Sequence, residues 1–386
     1  MIPLTEKYLV IFVVCISFIL ISILQVTGTT ITCADRIWAI SHLVNNEQNL
    51  DHSLEVGANG LEMDLNFNKS GHPENLYHSD GVVAFCDCTC AKHTESCQFD
   101  PCGKKRPVEV VMKYFMSHKK MGQVAIFYVD SKLDGVPNDM IKQAGENAVT
   151  FFEEAVLKRG YKGIIFISGN NDEYLRSSVA QATQSKFKSQ IFIGYDYSFK
   201  FKHGLEVVAD LKYPNKIIST GIARCVSGAL HYIYSDWVIL GSVNKGRGVL
   251  SETIIWTLDT EKEFDEHFSY GARGIISNNV GKLVSWAEKR GYQLYTTEDA
   301  ICGATAGTEN LVNDVGSCSC KKGHGGCKID KKVTTWGSAC KCSEHFLGLV
   351  CKGDVVGCRD VTSYYCTNPD ESEASCMQGG GNCDGY

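Results

Sequence analysis

The second apolar run of the chain reads Gly60-Leu61-Glu62-Met63-Asp64-Leu65-Asn66-Phe67. Alternate side chains of a strand share one face, so Glu62 and Asp64 point one way while the leucines and the methionine point the other. Buried acids two residues apart repel each other unless a cation or a proton joins them. His42 precedes this run and His78 follows it, and imidazoles move protons near neutral pH. The stretch predicts a metal-assisted enzyme.

Eight β-rich apolar runs recur in the chain with spacers of helix length between them. They cover residues 37–44, 60–67, 123–130, 163–168, 190–195, 216–220, 253–259 and 274–278. This alternation predicts a closed (β/α)8 TIM barrel, an α/β fold whose active site lies at the carboxyl ends of the strands. Polar residues end several of the runs: His42, Glu62, Asp64, Asp130, Lys132, Trp256, Asp259 and Asn278. An open doubly wound sheet is the alternative, but it explains less well why the first and last strands both end in polar groups.

Residues 1–32 have the layout of a secretory signal peptide. A weakly charged start with Glu6 and Lys7 leads into an apolar run over residues 8–24, and small polar residues follow. An uncleaved membrane anchor is the alternative, although the run is near the lower length limit for a span. We therefore expect a secreted, extracellular protein.

The 19 cysteines divide the rest of the chain into two parts. Apart from Cys15, which lies in the predicted signal peptide, they fall into an even set from Cys33 to Cys302 and a second even set from Cys318 to Cys383. Such density is typical of oxidising compartments. We expect a catalytic barrel over residues 33–302 and a cysteine-rich tail over residues 303–386, which is partly EGF-like and needs disulfides for its stability.

The charge of the chain argues against nucleic acid as a partner. The formal net charge is -6, and no run of lysines or arginines suggests a basic surface.

Seven motifs of the barrel region carry a resemblance, and all seven keep their order. They are Ser41-His42-Leu43-Val44-Asn45, Gly57-Ala58-Asn59-Gly60-Leu61-Glu62-Met63-Asp64, Tyr77-His78, Cys86-Asp87-Cys88, Asp130-Ser131-Lys132, Trp256-Thr257-Leu258-Asp259 and Gly274-Ile275-Ile276-Ser277-Asn278. Over residues 34–300 the chain resembles the sphingomyelinase D (phospholipase D-type) dermonecrotic toxins of spider venoms and their arthropod relatives.

The resemblance implies a role for each candidate site residue of the barrel. Glu62, Asp64 and Asp130 would bind one Mg²⁺, for which an oxygen-only ligand set is suited. His42 and His78 would be the catalytic pair, with the base and the acid not assigned. The substrate-binding residues would be Lys132 at the phosphate, Trp256 and Asp259 at the choline headgroup, and Asn278.

By the same resemblance, the enzyme would be a monomer that acts on choline phospholipids at membrane surfaces. It would release choline from sphingomyelin and lysophosphatidylcholine, and the substrate's own hydroxyl would attack to leave a cyclic phosphate. One cysteine of the loop after His78, expected to be Cys88, would bridge to Cys225. The chain departs from the toxins at Ser41, where they usually have glycine, and at Ile254, where they have an aromatic residue, so its headgroup preference is open.

Two other functions stay open. A glycerophosphodiester phosphodiesterase has a similar Glu-x-Asp and paired histidines, but the Arg-Gly that normally follows its first histidine is Leu43-Val44 here. The second of these hypotheses is a catalytically silent binding protein. The intact set of His42, Glu62, Asp64, His78 and Asp130 argues against it.

Overall fold

A computed structural model describes residues 36–78, 105–196, 201–222, 237–238, 241–242, 244–245 and 248–298, together with seven short strands of the tail. The predicted signal peptide lies outside the described residues. Within the described ranges, no helix has both the length and the apolar character that a membrane crossing would need.

Eight parallel strands close into a barrel, which confirms the predicted fold class. In chain order they are β1 (Arg36–Ser41), β2 (Gly60–Phe67), β5 (Ile126–Lys132), β6 (Ile164–Gly169), β7 (Ile191–Asp196), β8 (Lys216–Gly221), β9 (Glu252–Trp256) and β10 (Gly274–Ser277). Each strand pairs with the next, and β1 pairs with both β2 and β10, which closes the barrel. All eight predicted runs form strands. The seventh ends at Trp256 rather than at Asp259.

Helices follow the barrel strands and cover the outside of the sheet. They are α1 (Glu47–Glu55), α2 (Val108–Ser117), α3 (Ile141–Ala155), α4 (Asp172–Gln184), α5 (Phe201–Asp210), α6 (Glu261–Ser269) and α7 (Val280–Arg290). Asn46, Asn171 and Asn279 accept backbone N–H groups at the starts of α1, α4 and α7, and Thr260 forms a capping box with Glu263 at the start of α6. The caps fix where the loops at the carboxyl ends of the strands give way to helix.

Strand alternation divides the apolar residues into two cores. Leu61, Met63 and Leu65 pack outward against the helices. The lumen core fills the barrel with Trp38, Ile40, Ala125, Ile126, Tyr128, Ile164, Phe166, Phe192, Ile217, Ile254, Ile276 and Tyr295. Position 60 has little room for a side chain, because a Cβ there would lie 2.7 Å from Cγ1 of Ile40. Glu62 and Asp64 follow Gly60 on the lumen face, as the alternation predicts.

Shorter strands complete the described structure. β3 (Pro73–Leu76) returns antiparallel to β2, β4 (Arg106–Pro107) pairs with β3, and β11 (Gln293–Leu294) pairs with β1. The tail contains β12 (Ser319–Cys320), β13 (Cys327–Lys328), β14 (Ser338–Cys342), β15 (Leu349–Gly353), β16 (Tyr364–Thr367), β17 (Ser375–Gln378) and β18 (Gly381–Asn382). The last five form one antiparallel sheet.

Candidate active site

The register between β2 and β5 brings three carboxylates together at the carboxyl end of the barrel. Asp64 is the direct partner of Asp130, and Glu62 lies two residues earlier on the same face of β2. One oxygen from each of the three carboxylates lies within 4.8 Å of the other two. Such an oxygen-only set suits a hard cation such as Mg²⁺.

Backbone and side-chain donors hold the two buried acids in different ways. Leu43, whose φ of 56° is left-handed, donates its N–H to Oε2 of Glu62 at 2.6 Å. Asn45 donates Nδ2 to Oδ2 of Asp64 at 2.6 Å, and its own Oδ1 accepts the backbone N–H of Asp64 at 2.9 Å. The loop after β1 is therefore fastened to β2 at both acids.

The two acids also titrate differently. Burial raises the pKa of Glu62 well above its usual value, and the charges of Asp64 and Asp130 raise it further. Burial acts on Asp64 in the same direction, but Lys132 and His78 outweigh it and lower the pKa of Asp64 to about 2. Without a cation, one acid of the pair favours the protonated form and the other the ionised form.

Lys132 lies among the carboxylates. Its Nζ is 2.9 Å from Oδ1 of Asp64 and also contacts Oδ2 of Asp130, on the same face of β5. Burial disfavours its charge, but Asp130 and Asp64 overcome this effect and hold the pKa of Lys132 well above its usual value. A fixed positive charge therefore stands beside the acids.

A chain of hydrogen bonds orients His42. Asn278 Oδ1 lies 2.7 Å from Nδ1 of His42, and Asn278 Nδ2 donates to Oδ2 of Asp259 at 3.0 Å. Because a carboxylate only accepts, Asp259 fixes the amide so that its oxygen faces the imidazole. His42 must then carry its proton on Nδ1, which leaves Nε2 to face Glu62 Oε2 at 4.0 Å.

His78 reaches the site by way of the β3 return strand. The backbone N–H of Tyr77 donates to the carbonyl of Asp64 at 3.0 Å, and Asn66 Nδ2 donates to the carbonyl of Tyr77 at 2.6 Å. The two bonds hold the backbone N–H and the carbonyl of Tyr77, the residue before His78. The side chain is buried and lines the same pocket as His42.

Trp256 and Asp196 form the opposite wall. The indole Nε1 of Trp256 donates to Oδ1 of Asp196 at 2.8 Å. Burial raises the pKa of Asp196 to about 6, and the charge of Asp130 adds to the shift. Sequence reasoning missed Asp196, although it directly follows the predicted run 190–195 and so stands at a carboxyl strand end like the other polar residues.

One pocket collects most of the predicted site residues. Its lining comprises His42, Glu62, Asp64, His78, Tyr128, Asp130, Lys132, Asp196, Trp256, Thr257 and Ile276. Asn278 and Asp259 lie behind His42 instead. Both oxygens of Asp259 accept bonds from residues 277 and 278. Cys88 and Cys225, the expected disulfide, lie outside the described residues.

An acid triad, a lysine and two imidazoles meet in one pocket of the (β/α)8 barrel, an arrangement that suits an enzyme of the phosphodiesterase type. Residues 34–298 match the family described as Dermonecrotic toxin SPH. This match covers more than half of the chain, and the chain therefore belongs to that family.

The chain is also similar to individual proteins that carry the name Dermonecrotic toxin. Dermonecrotic toxin LiSicTox-alphaII1 of Loxosceles intermedia is 24% identical over 281 residues, which cover 68% of this chain and 87% of the toxin. Dermonecrotic toxin Hl-PLD1 of Hemiscorpius lepturus is 24% identical over 264 residues, or 64% of this chain and 78% of the toxin.

Among solved structures, a glycerophosphodiester phosphodiesterase from Parabacteroides distasonis matches with a TM-score of 0.41 and 16% identity, over 67% of this chain and 98% of that one. An Oleispira antarctica phosphodiesterase in complex with the product sn-glycerol-3-phosphate matches with a TM-score of 0.39 and 15% identity, over 62% of this chain and 90% of that one.

Proposed function

We propose that the protein is a secreted, Mg²⁺-dependent enzyme of the sphingomyelinase D type that releases choline from sphingomyelin and lysophosphatidylcholine. The observation that carries the proposal is the pairing of an oriented imidazole, His42, with a carboxylate triad in one pocket. The product would be a cyclic phosphate, and the enzyme would act as a monomer at membrane surfaces.

Glu62, Asp64 and Asp130 fit a hard cation and would hold it. Their converging oxygens and the raised pKa of Glu62 show that negative charge is crowded there, and a cation would relieve this crowding. Bound Mg²⁺ would supply charge stabilisation to the phosphate oxygens. Lys132, within reach of Asp64 and Asp130, would add a second positive charge beside the phosphate.

The hydrogen bonds of His42 support its assignment as the base, and we assign the acid to His78. His42 donates Nδ1–H to Asn278, so its Nε2 carries a lone pair and can take the proton from the attacking hydroxyl of the substrate. That oxygen forms a bond to phosphorus while the bond from phosphorus to the choline oxygen breaks. His78 would give a proton to the departing choline oxygen. Asp259 acts through Asn278 as a positioning residue that keeps His42 in the basic tautomer.

Trp256 and Asp196 would receive the headgroup. A quaternary ammonium has no N–H to donate, so it is recognised by an aromatic face and a nearby carboxylate. The indole bond to Asp196 holds the ring and the carboxylate side by side. The resemblance implies Asp259 in this place; we favour Asp196 because it lines the pocket beside Trp256, whereas Asp259 bonds to residues 277 and 278.

Phosphorus NMR of purified protein with sphingomyelin or lysophosphatidylcholine tests the proposal. We expect a cyclic phosphate signal that needs Mg²⁺, is lost in EDTA and is lost in His42→Ala. The matched control is His72→Ala, which removes an exposed histidine on the hairpin between β2 and β3 and should leave the signal intact.

The alternatives give different spectra. Cleavage of glycerophosphocholine without turnover of either lipid would reassign the protein as a glycerophosphodiester phosphodiesterase. No turnover of any of the three substrates, with Mg²⁺ bound, would favour a binding protein.

Two aspartate variants separate headgroup recognition from positioning. Asp196→Asn should raise KM for choline lipids with a smaller change in kcat, because it removes the charge that faces the ammonium. Asp259→Asn should lower kcat with a smaller change in KM, because the bonds of Asp259 to Ser277 and Asn278 orient His42 and do not belong to the proposed headgroup site. The reverse pattern would restore Asp259 to the headgroup site.

A further inference from the structure

The fold gathers scattered cations at the amino ends of four adjacent strands, opposite the pocket. The loops that lead into β5, β6, β7 and β8 cover residues 118–125, 156–163, 185–190 and 211–215. Seven exposed cations belong to these loops, and we call them the basic rim: Lys119, Lys158, Arg159, Lys162, Lys186, Lys188 and Lys212. The four loops contain no aspartate or glutamate.

Acidic side chains at the neighbouring helix ends offset only part of this charge. Lys158 contacts Glu153 at 3.7 Å and also Glu154, both at the end of α3. Asp210, at the end of α5, lies 3.9 Å from Arg176 rather than from a rim residue. Lys162, Lys186, Lys188 and Lys212 have no acidic partner within 4.0 Å among the described residues. The basic rim therefore keeps a positive excess although the whole chain carries -6.

Side chains bond the loops of the basic rim to one another. Gln190 Nε2 donates to the carbonyl of Gly163 at 2.9 Å, which joins the second loop to the third. Tyr213 Oη and Asn215 Nδ2 donate to the carbonyl of Lys188 at 2.9 and 2.7 Å, which joins the third loop to the fourth. These bonds fix the loops that carry the cations. Binding of a ligand would therefore cost little loop entropy.

We propose that the basic rim binds a sulfated polysaccharide of the extracellular matrix. Four adjacent strand starts span roughly 15 Å at the usual strand spacing, so the cations can engage several charges of one linear polyanion. Tyr161 and Tyr213 are buried beneath the rim, and Phe187 packs against the outer core, so the rim offers little aromatic surface on which a nucleic-acid base could stack. Secretion, as in the proposed function, would bring the protein to such glycans.

A membrane fits the basic rim less well. The pocket lies at the carboxyl ends of the strands and the rim at the amino ends. A lipid surface bound at the rim would therefore face away from the residues that cleave lipid. This step and the choice of an extracellular glycan rest on the proposed function, whereas the positive charge of the rim does not.

Binding to immobilised heparin, compared with unsulfated hyaluronate, tests the proposal in the full-length protein. We expect retention on heparin that weakens with salt and no comparable retention on hyaluronate. The variant Lys162→Glu/Lys186→Glu/Lys188→Glu should raise Kd for heparin by at least about tenfold, because three contacts become repulsive. The matched control Lys142→Glu/Lys262→Glu/Lys282→Glu changes the net charge equally at exposed helix positions and should leave Kd within about twofold.

A milder variant and two further ligands distinguish a glycan from a nucleic acid or a membrane. The milder variant Lys162→Gln/Lys186→Gln/Lys188→Gln should give a smaller rise in Kd and covers the case in which the charge reversal fails to fold. Equal loss in the matched control, no retention of wild type on heparin, or tighter rim-dependent binding to duplex DNA or to phosphatidylserine vesicles would overturn the proposal. Lipid cleavage in detergent should be unchanged in the rim variants, so a failure here is distinguishable from a failure of the proposed function.

Discussion

The two ends of the barrel lumen are built from the same strands but have opposite chemistry. Towards the amino ends, Ile40 is buried in the apolar lumen core, and Tyr128 lies where this core borders the pocket. Two residues further along the same faces, His42 and Asp130 reach a pocket of acids, imidazoles and one lysine. Along these strands, the side chains on the lumen face change from apolar core residues to pocket residues within about 7 Å, the rise of two residues. One end stabilises the fold, and the other concentrates charges that are costly to bury.

The largest difference between an effect on activity and an effect on stability is expected for His42, the residue that directly follows β1. His42→Ala should lower lipid turnover about a thousandfold, because it removes the proposed base, while the free energy of unfolding changes by only about 1 kcal/mol. Steady-state kinetics and urea denaturation measure the two effects. Near-normal turnover would show that the polar end is not the catalytic end.

Ile40→Ala makes the converse change two residues earlier. The side chain is fully buried in the lumen core, so its loss should cost about 2–5 kcal/mol of unfolding free energy. Turnover per folded molecule should fall only a few-fold. Urea denaturation gives the first value, and activity normalised to the folded fraction gives the second. A stability loss below about 1 kcal/mol would break the comparison.

Asp64→Asn tests whether every charge at the polar end is costly. Folding lowers the pKa of Asp64 from 3.8 to about 2, so the ionised group stabilises the fold above pH 3.8 and loses this contribution as the pH falls towards 2. In EDTA at pH 7, the variant should be about 2 kcal/mol less stable than wild type. The difference should shrink in denaturation curves taken below pH 4. A difference that does not vary with pH would contradict this account.

Glu62→Gln should have the smallest effect and the opposite sign. Folding raises the pKa of Glu62, so the ionised acid destabilises the fold increasingly as the pH rises above the usual value of 4.5. The amide can still accept the N–H of Leu43. In EDTA at pH 7, the variant should be more stable than wild type by about 1 kcal/mol, and this gain should vanish at acid pH.

Calorimetry supplies the companion measurement for Glu62→Gln. Mg²⁺ should stabilise wild type in a thermal scan but not the variant, because a proposed metal ligand is missing. Equal stabilisation of both proteins would remove Glu62 from the metal site.

Much of the fold was predictable because strands carry a local pattern. All eight barrel strands were predicted, and the alternation placed Glu62 and Asp64 on one face. The pairing of Asp64 with Asp130 was not predictable from that pattern, since register depends on contacts between residues 66 positions apart. The position of Asp196 at the end of a predicted strand was readable from the sequence, but its contact with Trp256, 60 positions away, was not.

The sequence by itself determined the closed barrel, the acidic pair and the family resemblance, because each depends on residue types in a short or ordered pattern. The tertiary structure alone decided that Asp259 lies behind Asn278, that Asp196 accompanies Trp256, and that cations from four separate loops share one rim. These relations depend on how the strands are paired and how the barrel closes. Closure brings residues from distant parts of the chain together, and no local sequence pattern encodes those distances.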